Sequence, residues 1–217
     1  MIKAVLFDFD GVVVQSEGLH RETFMEMLAS YGVTVSDERW YREFAGTGSR
    51  HIFEVLVAEN GIETDIDSLV ERRKKIYEAR VRAGALKETP GVRGFVAFLR
   101  KKGIRTAIVS GSHSSNVAAA LSVLRLEGLF EVIVSGDDLK ERKPAPAPYL
   151  FAAKKLGMEP SECLAIEDSV SGCASVKAAG MRLVVVRSPA SKDLYGYDAI
   201  IDDFSEFPLG MFWHDKA

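Results

Sequence analysis

The chain has 217 residues, 47% of them hydrophobic and 27% charged, with a net charge of -3. These proportions are ordinary for a globular protein with a substantial core, built as one large domain or as one domain plus an insertion. They give no support to nucleic-acid binding, and no apolar stretch approaches the ~20 residues that a membrane span needs.

The chain starts Met1-Ile2-Lys3 and enters a strand-like run at once, so no signal peptide fits. A cytoplasmic protein is expected, as a monomer or weak dimer with no membrane or nucleic-acid partner. Cys163 and Cys173 are the two cysteines. One begins a strand-like run and the other lies in a helical pattern, so free buried thiols are expected rather than a disulfide or a zinc site.

The first predicted element is the strand Lys3–Phe9, whose run Ala4-Val5-Leu6-Phe7 reads as buried. It delivers Asp8-Phe9-Asp10-Gly11-Val12 to a strand's carboxyl end, where open α/β sheets place their chemistry. Alternation puts Asp8 and Asp10 on one side if the strand geometry continues through them. Two like charges so close make a divalent cation a natural third member of the site. Gly11 lets the backbone turn sharply. The plain alternative is an acidic strand end running into a solvated turn.

Between Val14 and about Pro90 no strand pattern occurs. Helical patterns lie at about Gly18–Tyr31, Asp37–Phe44, Ser49–Asn60 and Asp67–Ala83, with Gly32 and Gly61 ending two of them. The run Arg72-Arg73-Lys74-Lys75 reads as a solvated helix face. Thr89-Pro90-Gly91 marks the return to the main domain.

From there strands and helices alternate. Strands are expected at Thr106–Ser110, Val132–Ser135, Cys163–Glu167, Arg182–Val186 and, more weakly, Ala199–Ile201. Helices are expected at Gly94–Lys102, Ser114–Leu124, Ala147–Leu156 and Ser171–Ala179, with Gly103, Gly157 and Gly180 as stops for three of them. This rhythm predicts a parallel sheet covered on both faces. The tail residues Phe204, Phe207, Phe212 and Trp213 are expected to pack on the core.

Three stretches recur at the sites an active centre needs. Ser110-Gly111-Ser112 follows the second strand, Lys143-Pro144 follows a polar loop, and Glu167-Asp168 closes the strand from Cys163. With Asp8-Phe9-Asp10-Gly11, in this order, the set resembles the haloacid dehalogenase superfamily across nearly the whole chain. It is most similar to the branch holding β-phosphoglucomutase and the sugar-phosphate and phosphoglycolate phosphatases. The resemblance implies a Rossmann-like core of residues 1–14 and 90–217, with a helical cap domain, residues 15–89, inserted on hinge-like linkers.

The same resemblance implies roles. Asp8 is the expected nucleophile and Asp10 the general acid and base. Asp8 and Asp168 would bind Mg²⁺ through carboxylates and Asp10 through its main-chain carbonyl, with Glu167 behind these ligands or reaching the ion through water. The plain reading of Glu167-Asp168 is a cap on the next helix. Ser110, with the N–H groups of Gly111 and Ser112, would hold phosphate at a helix start. Lys143 would place its ammonium on the phosphate beside Asp8. In the cap, His20 and Arg50 are the candidate substrate contacts. The loop Gly46-Thr47-Gly48-Ser49-Arg50 is one residue longer than the mutase loop it resembles, and Gln15 stands where the branch commonly has Asp.

Three functions follow. The first is a Mg²⁺-dependent phosphatase that acts on a small phosphorylated metabolite, a sugar phosphate or phosphoglycolate-like acid, through an aspartyl-phosphate. The second is a β-phosphoglucomutase-like phosphomutase. The third is a catalytically silent regulatory or interaction protein, against which the intact set of Asp8, Asp10, Ser110, Lys143 and Asp168 argues.

Overall fold

Strand β1, Ala4–Phe7, is fully buried and lies at the centre of a six-stranded sheet. The computed structural model describes residues 1–45, 47–189, 191 and 194–212. The other strands are β2 Arg105–Val109, β3 Val132–Val134, β4 Cys163–Glu167, β5 Arg182–Val186 and β6 Ala199–Ile201. Their order is β3-β2-β1-β4-β5-β6 and every pairing is parallel. Both faces of a parallel sheet are covered, which explains why the strands read as unbroken apolar runs.

Register decides where the chemistry falls. Phe7 sits opposite Ile108 on β2 and Ile166 on β4. The residues that follow these three strands therefore emerge at one edge of the sheet. The Asp8 N–H still donates to the Ile166 carbonyl at 2.9 Å, so Asp8 is held as firmly as a strand residue.

The chain divides into two compact units, residues 1–15 with 87–217, and residues 16–86. In the sheet unit, helices α5 Val92–Lys101, α6 Ser114–Val123, α7 Ala147–Leu156 and α8 Val170–Ala178 connect the strands. One face of the sheet buries Ala4, Leu6, Ala107, Val109, Ala165 and Val185 against Tyr149, Leu156, Cys173 and Val176. Phe7 packs against Phe95, Phe130 and Phe204. The tail follows expectation, since Phe204, Phe207 and Phe212 all pack on Phe95, with centroids 4.3–6.3 Å apart. Trp213 lies outside the described residues. Both cysteines are free and buried, as the sequence suggests.

The helical unit holds α1 Glu17–Leu28, the short α2 Asp37–Arg39 that widens into a π turn at Trp40–Phe44, α3 Ser49–Glu59 and α4 Ile66–Arg82. Phe24, Leu28, Trp40, Phe44, Phe53, Leu56 and Leu69 form its core. One expectation fails here. Arg73 is buried, only 6% exposed, whereas Arg72 and Lys75 beside it are exposed. Leu69, Arg73, Tyr77 and Val81 recur every fourth residue on the buried side of α4, so helical period overrides the charge of the run. No helix among the described residues is long and apolar enough to cross a membrane.

Candidate active site

Asp8, Lys143 and Glu167 meet at the carboxyl edge of the sheet. The Lys143 ammonium donates to Asp8 Oδ1 at 2.5 Å, to Glu167 Oε1 at 2.6 Å and to the Val109 carbonyl at 3.0 Å. An ammonium has three N–H donors, and all three are used. Burial works against the charge of Lys143, but Asp8 and Glu167 outweigh it and hold the group above its ordinary range. Asp8 is displaced from the usual carboxylate range. Burial first, then repulsion from Glu167, pushes it up to about 8 despite Lys143.

Glu167 is the last residue of β4 and is fully buried. Its Oε1 also accepts from the Tyr149 hydroxyl at 2.7 Å. Its Oε2 accepts from the Asp168 N–H at 3.1 Å, the Ser169 N–H at 3.3 Å and the Ser169 hydroxyl at 3.0 Å. Glu167 thus anchors the turn into α8, while Ser169 caps that helix by accepting from the Gly172 N–H at 3.0 Å. The cap of α8 is thus Ser169 and not the acidic pair; Glu167 holds the two residues that lead into the helix.

Oxygens of Asp8, Glu167 and Asp168 lie within 4.8 Å of one another. Three carboxylates this close, one of them pushed towards its neutral form, suit a hard divalent cation with oxygen ligands. The approach is shaped by glycine. Gly11 has φ +83°, and a Cβ there would collide with the Asp168 carboxylate. Gly11 therefore provides both the sharp turn and the room for the second acid.

Asp10 leaves the carboxylate cluster to the other acids and turns its own carboxylate to Ser112, whose hydroxyl donates to Oδ2 at 2.8 Å. Ser110 is buried at the end of β2, and its Oγ accepts from the Ser112 N–H at 3.0 Å. So the Ser112 N–H, expected to face a phosphate, faces the Ser110 hydroxyl in this structure. Gly111 is exposed beside them. The start of α6 has no cap of its own; Asp137 supplies one, accepting from both the N–H and the hydroxyl of Ser114 at 2.8 Å. Those bonds, the N–H first, hold Asp137 down at about 2.

The two candidates of the helical unit have different surroundings. His20 stacks on Tyr77 with centroids 4.5 Å apart and rings nearly parallel, and its Nδ1 meets the Arg73 guanidinium. A guanidinium only donates, so Nδ1 is the acceptor in this contact. Arg50, on α3, is exposed and pairs with Asp67 and Glu54. Gly46 of its loop lies outside the described residues, and Gly48 has φ +90°.

Residues 5–186 match the family described as haloacid dehalogenase-like hydrolase. The chain belongs to that family. A phosphorylated carbohydrates phosphatase of Thermotoga maritima is 33% identical over 185 residues, covering 84% of each chain. Protein CbbY of Cereibacter sphaeroides is 32% identical over 218 residues, covering 95% of this chain and 94% of its own. The crystal structure of a CbbY mutant from Rhodobacter sphaeroides in complex with xylulose-(1,5)bisphosphate superposes with a TM-score of 0.82 at 27% identity, over 96% of this chain and 97% of that one. The six-stranded α/β fold of the sheet unit is that of the hydrolase family.

Sequence reading missed three members of this candidate site. Tyr149 is one, hidden in a helix whose pattern reads as plain core. Gly172 is another: a Cβ there would collide with the Glu167 carboxylate. Gly136 is the third, where a Cβ would collide with the Gly111 carbonyl. Isolated glycines at these places carry no signal until their neighbours are known.

Proposed function

We propose that the protein is a Mg²⁺-dependent phosphatase for a small phosphorylated metabolite, a phosphorylated sugar by class, acting through an aspartyl-phosphate on Asp8. The observation that carries this reading is Asp8 itself. It is a buried carboxylate at the end of the central strand, 2.5 Å from a fully engaged ammonium and beside two further acids. The relatives, one named for phosphorylated carbohydrates and one solved with a sugar bisphosphate, support the substrate class.

The roles follow from position. Asp8 and Asp168 would hold the ion through carboxylates and Asp10 through its main-chain carbonyl. When bound, Mg²⁺ would offset the charge of these carboxylates and of the phosphoryl oxygens. Glu167, with both oxygens bonded to protein donors, keeps Lys143 in place. Lys143, Ser110 and the N–H groups of Gly111 and Ser112 would hold the transferring phosphoryl group, with the Ser112 N–H turning from the Ser110 hydroxyl to do so. Asp8 attacks phosphorus and the ester oxygen leaves, taking a proton from Asp10. Water then gives a proton to Asp10 and cleaves the aspartyl-phosphate. The helical unit, as a cap, would supply substrate choice through His20 and Arg50.

The test is phosphate release from p-nitrophenyl phosphate and a panel of sugar phosphates, with Mg²⁺ and with EDTA. Release that needs Mg²⁺ is expected, and full activity in chelator would remove the ion from the mechanism. Asp10→Asn is expected to slow turnover by roughly 10² to 10⁴, and less for p-nitrophenolate, which needs little protonation. Interconversion of β-glucose 1-phosphate and glucose 6-phosphate in place of phosphate release would move the protein to the phosphomutases.

A further inference from the structure

Tyr149 lies on α7, outside every motif that marks the site, and is fully buried. It touches the site twice. Its hydroxyl donates to Glu167 Oε1 at 2.7 Å, the same oxygen that accepts from Lys143 at 2.6 Å. The face of its ring lies 5.1 Å from the Lys143 ammonium, within the range of a cation–π contact. One side chain thus grips both ends of the Lys143–Glu167 pair.

Glu167 has little freedom otherwise. Gly172 closes its other side so tightly that no Cβ fits, and Ser169 and the Asp168 N–H hold Oε2. The Oε1 lobe is the part that decides where the ammonium sits, and Tyr149 is its second partner. Without the hydroxyl, Oε1 keeps its charge but loses one of two fixed directions. Lys143 then has more room to turn from Asp8 towards Glu167.

We infer that Tyr149 is a positioning residue that holds the Lys143 ammonium against Asp8, through Glu167 and through its own ring. Its contacts at the site are with Glu167 and Lys143. Its effect on turnover passes through Lys143, and its two contacts are separable. Tyr149→Phe keeps the ring and removes the hydroxyl, whereas Tyr149→Leu removes both. The kinetic part of this inference rests on the phosphatase reading above.

The experiment has two arms. In metal-free protein, the ¹⁵Nζ–¹H signal of the Lys143 ammonium is followed by NMR, because a buried ammonium with three acceptors exchanges slowly with water. The signal is expected to shift and exchange faster in Tyr149→Phe, and more so in Tyr149→Leu. In the Mg²⁺-loaded enzyme, kcat for p-nitrophenyl phosphate is expected to fall about tenfold in Tyr149→Phe, the scale of one hydrogen bond to a charged group, and further in Tyr149→Leu. Combined with Glu167→Gln, Tyr149→Phe is expected to add less than about twofold, because residues acting through one another are non-additive. An unchanged ammonium signal, an unchanged kcat, or losses that simply multiply in the double variant would each overturn the inference. If wild-type protein releases no phosphate at all, the functional reading fails, while the ammonium signal still decides the role of Tyr149.

Discussion

Lys143 in the sheet unit and Arg73 in the helical unit are both largely buried cations, and their surroundings differ in kind. Lys143 faces two carboxylates, with Asp168 close behind them. Arg73 donates to the hydroxyls of Thr23 at 3.1 Å and Ser49 at 3.0 Å, meets the imidazole of His20, and lies over the rings of Phe24 and Tyr77. The first arrangement buries Asp8 among like charges; burial first, then repulsion from Glu167, pushes it up to about 8, so folding disfavours the ionised form that the proposed chemistry needs. The second satisfies a cation with polar groups and aromatic faces, which stabilises the helices that carry them. On the proposed function, charge at the strand ends serves reaction and charge between the helices serves packing.

The sharpest way to break this contrast is to remove the central anion. Asp8→Asn is expected to bring turnover to background while raising the thermal stability of metal-free protein. The effect carries a pH signature. A carboxylate whose pKa rises on folding stabilises the native state below its unfolded value, and that contribution is lost as pH rises through the folded value. Metal-free wild type should therefore lose melting temperature, relative to Asp8→Asn, as pH climbs from about 4 to about 8. Parallel melting curves across that range would show that Asp8 is not strained.

Gly172→Ala should do the opposite to stability. Its Cβ would land on the Glu167 carboxylate, so a loss of about 1–3 kcal/mol is expected from overpacking, together with a fall in turnover as Lys143 moves. Thermal unfolding and kcat are measured on the same sample. Wild-type values for both would mean that Glu167 moves aside without consequence.

Arg73→Met tests the helical side. It removes the guanidinium that donates to Thr23, Ser49 and His20, and about 2 kcal/mol of stability should go with it. Turnover of p-nitrophenyl phosphate should survive, since this cation serves packing. Unchanged stability with lost turnover would reverse the contrast between the two units.

Gly18→Ala is the smallest change and the counterpart to Gly172. Gly18 lies in α1, and a Cβ added there meets no atom within 4 Å, so a gain of about 0.5 kcal/mol is expected from helix propensity alone. A loss in thermal unfolding would show that this helix is crowded at its first turn.

The strands, the order of the motifs and most of the candidate site were legible in the sequence because each motif is short and sits at a strand end. Asp8, Ser110 and Glu167 each follow an apolar run, and a parallel sheet brings such ends to one edge whatever lies between them. The helical patterns were also readable, through their period and their stop glycines. What the sequence could not decide were contacts set by facing surfaces. Tyr149 and Gly172 look like ordinary helix residues until α7 and α8 pack against the end of β4. Arg73 looks like one of four solvated cations until α4 turns it inward. Side-chain partners within one strand end depend on local order and are written in the chain. Partners across packed helices depend on which faces meet, and only the folded structure determines that.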